Sequence, residues 1–156
     1  LNKDEANAVT FAKKYPMPSQ VTFYKKFIGQ VIRTAPSPLS NWLAGTIREV
    51  EESHLVIEFS IREEMCNPVK VLHGGMIAAM MDDVIGMHLF VIGTEPFHVS
   101  VSLHVDFIQT APLGAVISVK SELIRKGSRL VTAQCTITES QTHRLLARGS
   151  AQLIPS

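Results

Sequence analysis

Residues 72–83 read LHGGMIAAMMDD, and the apolar run continues through VIGMHLFVI to Ile92. Gly74 to Ile92 approaches the ~20 residues of a membrane span, yet Asp82 and Asp83 stand at its middle, where each acid costs about 2.5 to 3.5 kcal/mol on insertion. The segment therefore reads as a helix inside a soluble core. Because it is apolar on nearly every side, it has to be wrapped, and the rest of the chain must supply a sheet that curls around it.

The flanking sequence has the period of such a sheet. Upstream, Leu55, Ile57, Phe59 and Ile61 alternate with Val56, Glu58, Ser60 and Arg62. With a first strand expected from about Leu43 to Glu51 and a turn near Ser53, they predict a hairpin. Downstream, Val99, Val101, Leu103, Val105 and Phe107 alternate with Ser100, Ser102, His104 and Asp106. TAPLG and RKGSR mark turns, and strands are expected around 117–123, 130–138 and 144–153. Near the start, Val21, Tyr24, Phe27, Ile28 and Val31 fall at helical spacing behind Ser19, a candidate cap, while the first 20 residues read as a polar arm. The order is helix, two strands, long helix, four strands, which defines an α+β class with an antiparallel sheet. We divide the chain into residues 1–40, arm and short helix, and residues 41–156, one domain with a single core.

Composition narrows function. With 46% hydrophobic residues, 19% charged and a net charge of +1, the chain is neither disordered nor polybasic, so nucleic acid is not an expected partner, nor is a membrane. The N-terminal LNKDEANAVTFAKKYP lacks an apolar signal core. Cys66 and Cys135 read as free thiols of a reducing compartment, and cytoplasm is the expected location. Cys66, His73 and Asp82 lack zinc-ligand spacing, so no metal is expected.

The glycines suggest an oxyanion site. If His73 is the N-cap, the first N–H groups of the helix, at Gly74 and Gly75, have no intrahelical partner, lie at the positive end of the dipole and carry no obstructing side chain. The plainer reading is that two glycines ease a tight loop-to-helix junction. Asp82, amid Met80, Met81, Val84 and Ile85, is expected to be desolvated, which would raise its pKa toward the range of a base or nucleophile. Asp83 points ~100° away, so only one of the two acids should occupy a cleft. Gly74 and Asp82 are separated by roughly 12 Å of helical rise, too far to act on one carbonyl from one helix. If they serve one reaction, two copies must lie side by side about a two-fold axis, so an obligate homodimer is expected.

These residues carry a resemblance. Asn67, His73-Gly74-Gly75, Asp82 and Ser100 within HVSVSLHVDF, followed by APLG, RKGSR and RLLARGSAQL, resemble the hotdog-fold acyl-CoA thioesterases, in the branch that includes the phenylacetate-pathway enzymes. The likeness runs over about Trp42 to Leu153. It implies a hotdog fold, with a curved antiparallel sheet around one central helix and an extra N-terminal helix, and it implies hydrolysis of an acyl- or aryl-CoA to acid and CoA. Asp82 would be base or nucleophile, Ser100 would position water, Gly74 N–H would polarise the thioester carbonyl, and Asn67 and His73 would orient the substrate. Gly75 would adjoin the substrate. No cofactor is implied, since CoA belongs to the substrate. The implied partners are acyl-CoA and the chain itself, as a homodimer that pairs into a dimer of dimers. Lys70, two residues before Leu72, and Asp83, beside the presumed catalytic acid, depart from the family pattern.

Other residues have plainer readings. His88, His98, His104 and His143 are expected at the surface or as satisfied strand residues. Met76, Met80, Met81 and Met87 suit an adaptable core or an acyl tunnel. Among Arg125, Lys126, Arg129, Arg144 and Arg148, a solvated sheet rim is the plain reading, and Arg125 and Lys126 are the candidates for CoA phosphates. The alternative function is a non-catalytic acyl-CoA binding or sensing protein on the same fold.

Overall fold

A computed structural model describes residues 19–94 and 97–156; most of the expected polar arm, and Pro96, lie outside these. Six strands form one antiparallel sheet: β1 (Thr46–Val50), β2 (His54–Ser60), β3 (His98–Phe107), β4 (Val116–Lys126), β5 (Val131–Glu139) and β6 (Leu145–Pro155). Their order is β1-β2-β4-β5-β6-β3. The chain leaves the sheet after β2, forms the long helix Gly74–Val91, and returns to the far edge, where β3 pairs with β6. This helix packs on β2, β3, β4, β5 and β6, so the sheet encloses it. Met80, Met81, Val84 and Ile85 are fully buried, as are Ile57, Ile117, Val119 and Ile137 from the sheet. Each such side chain contributes about 1.5–3 kcal/mol of burial. The apolar run is thus the core of the domain.

The N-terminal region departs from expectation. The helix predicted from the spacing of Val21 to Val31 is two short pieces, α1 (Val21–Tyr24) and a 3-10 turn (Lys25–Phe27), and Gln20 rather than Ser19 holds its N-cap position. Gly29, at φ 86°, ends it. The next residues run along β1: Gly29 N–H donates to Ile47 O at 2.8 Å, Ile47 N–H to Gln30 O at 3.1 Å, and Ile32 N–H to Gly45 O at 2.8 Å. Helical spacing lost here because the backbone of an open sheet edge needs partners.

The strand expected from Leu43 begins three residues later, since Pro38–Leu43 form a helix, α2. Its signals are local: Ser37 caps it, accepting Ser40 N–H at 3.2 Å, and Pro38 occupies the first turn, where a missing N–H is harmless. Gly45 follows because a Cβ there would lie 2.4 Å from Ile57 and Phe59 side-chain atoms. We name the long helix α3.

On β3 the predicted alternation fails at one point. Val99 and Val101, apolar members of the alternation, are 44% and 52% exposed, while Ser100 faces α3. The pairing with β6 slips between Ser100 and Ser102, so Val101 is the extra residue of a bulge. A bulge reverses which parity faces the core: Ser100 points inward before it, and Leu103 and Val105 pack on the core after it.

Candidate active site

The loop before α3 is held by its own polar groups. Asn67 Oδ1 accepts Val69 N–H at 3.1 Å and Val71 N–H at 3.3 Å. Lys70 takes a left-handed φ of 60° and pairs with Glu63. His73 is the N-cap, as expected, with Nδ1 accepting Gly75 N–H at 2.8 Å. An accepting Nδ1 places the ring proton on Nε2, which is left as an outward donor. Of the two glycine amides, Gly75 is therefore occupied by the cap. Gly74 N–H has no partner among the described residues, at the positive end of an 18-residue helix. A Cβ at Gly74 would meet the Phe107 ring at 3.3 Å.

Against the expectation that only one acid would occupy a cleft, Asp82 and Asp83 border the same cavity, and the desolvation expected for Asp82 falls on Asp83 instead. Asp82 is exposed in the single chain, and its Oδ1 accepts Ser100 Oγ–H at 2.6 Å. Asp83 is the desolvated acid. Its Oδ1 accepts Ser40 Oγ–H at 2.7 Å and Ser37 Oγ–H at 3.2 Å, and its Oδ2 is buried without a partner among the described residues. Burial pushes the Asp83 carboxyl above its usual range, partly offset by the two serines. The sequence did not distinguish the two acids because the packing partner, α2, was not foreseen.

Asp82 and Ser100 border a cavity of about 770 Å³ between α3, the start of β3 and residues 23–40. Its walls are largely apolar, with Phe23, Tyr24, Phe27, Leu39 and Phe90 among them. Met87 also lines it, whereas Met80 and Met81 are core. The sequence reading missed the N-terminal wall; the aromatic spacing in VTFYKKF was its only trace.

The remaining candidates lie elsewhere. Arg125 and Lys126 are exposed at the end of β4, and neither forms an ion pair among the described residues. Arg148 pairs with Asp106 at 3.1 Å and Arg144 with Glu139 at 3.6 Å. His104 is exposed beside Asp106, and His143 is exposed at φ 57°. His98 keeps a buried Nδ1 without a partner among the described residues. His88 corrects the expectation of a surface or strand residue: it is a fully buried α3 residue. Its Nδ1 lies 3.1 Å from Ser121 Oγ and its Nε2 3.3 Å from Glu52 O. Among the described residues no three His, Cys, Asp or Glu side chains converge as a metal site would require.

A curved antiparallel sheet wrapped around one long central helix is the hotdog fold, and here an acid bonded to a strand serine stands beside an apolar cavity. Residues 70–145 match the thioesterase superfamily. Among the chain's relatives is human acyl-coenzyme A thioesterase 13, 26% identical over 104 residues, which are 67% of this chain and 74% of that protein. The crystal structure of thioesterase superfamily member 2 from Mus musculus superposes with a TM-score of 0.67 at 27% identity, covering 72% of this chain and 82% of that one. A hypothetical thioesterase from Streptococcus pneumoniae, crystallised with coenzyme A, superposes with a TM-score of 0.68. At 18% identity over 72% of this chain and 85% of that one, it shows likeness of fold.

Proposed function

We propose that this protein hydrolyses an acyl-CoA or aryl-CoA thioester to a free acid and CoA, in sites shared by two subunits. The observation that carries this reading is the Asp82–Ser100 contact of 2.6 Å beside an apolar cavity, in a chain whose residues 70–145 match the thioesterase superfamily. The Asp82 carboxylate drives attack on the carbonyl carbon, directly or by taking a proton from water that Ser100 helps to place. Gly74 N–H receives the negative charge that develops on oxygen. The C–S bond then breaks, and CoA leaves as a thiolate that acquires a proton; on the direct route water then hydrolyses the acyl–Asp82 anhydride, which releases the free acid and restores the carboxylate. We assign Asn67, on the loop before α3, and the Nε2–H of the cap residue His73 to orienting the carbonyl or the departing sulfur, with Gly75 supporting the turn. Arg125 and Lys126, free of ion pairs among the described residues, suit the CoA phosphates.

The shared site follows from distance. Asp82 lies two helical turns beyond Gly74, roughly 12 Å of rise, so the amide and the acid of one reaction come from different chains. Residues 29–32 cover the β1 edge, whereas the β3 edge is open and carries exposed Val99, Val101 and Phe107. Open apolar edges pair, and pairing of β3 with a second β3 about a two-fold axis brings the two α3 helices together. A dimer of such dimers is the assembly we assign. Cys66 and Cys135, both unpaired, fit a reducing, cytoplasmic setting.

Hydrolysis of a panel of CoA thioesters, followed by thiol release, tests the activity. Asp82→Asn is expected to lower kcat by about 10² to 10⁴ with the thermal unfolding temperature retained. Tight binding of acyl-CoA by the native protein with no thiol released would replace this reading with a non-catalytic sensor.

A further inference from the structure

Asp83 has no part in the chemistry above, and its position does not favour stability. A carboxylate half withdrawn from water, with one oxygen buried and unpartnered among the described residues, is a poorer fit for a helix–helix contact than an apolar side chain of similar size. What it holds is the wall of the cavity. Ser37 and Ser40 belong to the cap and first turn of α2, and both line the cavity, as do Asp82, Asp83 and Ser100. Ser40 is 1% exposed, so its hydroxyl has no water to turn to if Asp83 is removed. Ser37 Oγ also receives Ser40 N–H, so a single carboxylate oxygen anchors both the side chains and the cap of α2.

This wall lies upstream of residues 70–145, the part that matches the superfamily. The matched part supplies the acid, while the chain's own N-terminal segment supplies the chamber beside it. Tyr24 reaches down to Phe90 of α3, ring centroids 6.2 Å apart, and Phe23 packs on Phe27 at 5.3 Å. At the outer end of α2, Arg62 donates to Trp42 O at 2.8 Å and Leu43 O at 2.9 Å. Between these, α2 is hydrogen-bonded to α3 through Asp83.

We propose that Asp83 is a positioning residue for the acyl group: by accepting the Ser37 and Ser40 hydroxyls it fixes residues 37–43 as a wall at a set distance from Asp82, so that large acyl groups are held and small ones are not selected. This rests on the thioesterase reading above. Asp82 and Asp83 are consecutive on one helix, so the attacking acid and the anchor of the chamber move as one rigid unit. A cavity of about 770 Å³ is within the usual range for ligand pockets, roughly 300–1,000 Å³, and far exceeds what an acetyl group fills.

The test compares decanoyl-CoA with acetyl-CoA in the wild type, Asp83→Val, the double variant Ser37→Ala/Ser40→Ala, and Asp83→Asn. The ratio of kcat/KM for decanoyl-CoA over acetyl-CoA is expected to fall about tenfold in Asp83→Val and in the double serine variant, chiefly through KM. It should recover in Asp83→Asn, whose amide oxygen still accepts both hydroxyls. The serine variants keep the acid, so they test the anchor even where Asp83→Val does not fold. An unchanged ratio in the serine variants, or Asp83→Asn as impaired as Asp83→Val, overturns the proposal. Calorimetric binding of decanoate to the same four proteins separates the two readings. If wild type binds decanoate more tightly than the serine variants yet releases no thiol, the hydrolase reading falls and the anchor stands; thiol release with equal decanoate affinity in all four removes the anchor alone.

Discussion

Two neighbouring carboxylates on α3 meet different surroundings because ~100° of rotation per residue separates their directions. Asp82 meets a strand serine, and Asp83 meets the capping serines of α2. One turn further on, His88 shows what burial does to a third titratable group. Enclosure pushes its imidazole below the ordinary histidine value of 6.5, only partly countered by backbone contacts at Glu51 and Glu52. The neutral ring is favoured in the folded state, so the unfolded chain binds the extra proton first. Its contribution to stability is complete above pH 6.5 and is lost as the pH falls toward the lowered folded value. Thermal unfolding between pH 7.5 and 5 is therefore expected to show a steeper fall in Tm for wild type than for His88→Gln. Parallel curves for the two proteins would show that His88 does not carry the acid sensitivity.

At the scale of elements, ends and irregularities decide where the chemistry points. The His73 cap was legible because a polar residue precedes two glycines and an apolar run. Its value is that of an N-cap: His73→Ala should cost about 0.5–2 kcal/mol, or a few degrees in Tm for a chain of this size. His73→Asn, a stronger capping residue, should restore the melting temperature measured by circular dichroism. The β3 bulge and α2 were not legible in the same way. Alternation in HVSVSLHVDF is unbroken on paper, and only the register against β6 shows that Val101 is supernumerary and that Ser100 turns inward. For α2 the signals Ser37 and Pro38 are present, but they stand in APSPLSN, where two prolines and two serines equally suit a loop.

For the molecule as a whole, the proposed sharing of sites between two subunits makes a quantitative prediction. Gly74→Pro removes the N–H while fitting the first helical position. His73, at φ −68° and ψ 136°, already has the extended backbone required before proline, and the atom nearest a Cβ at residue 74 is in the Phe107 side chain, at 3.3 Å, rather than in backbone. Gly74→Pro and Asp82→Asn should each be inactive as pure proteins. When they are unfolded and refolded together in equal amounts, half of the dimers are mixed, and each mixed dimer has one intact site of two. About one quarter of wild-type activity should return. No recovery on mixing, with mixed dimers verified by mass, would place both groups in one chain. Sedimentation equilibrium should give a mass of at least twice 17.2 kDa, reduced toward the monomer by Val101→Lys on the open edge.

The sequence alone determined the class of fold, because an all-round apolar helix admits no solution except enclosure, and period-two segments of adequate length were there to enclose it. It also determined the helix start at His73, since caps are local chemistry. The tertiary structure decided which acid is buried, which parity of β3 faces the helix, and that residues 23–40 form a cavity wall. Each of these depends on a partner distant in the chain, namely α2 against α3 and β3 against β6, and residue spacing along one segment carries no information about what packs against it.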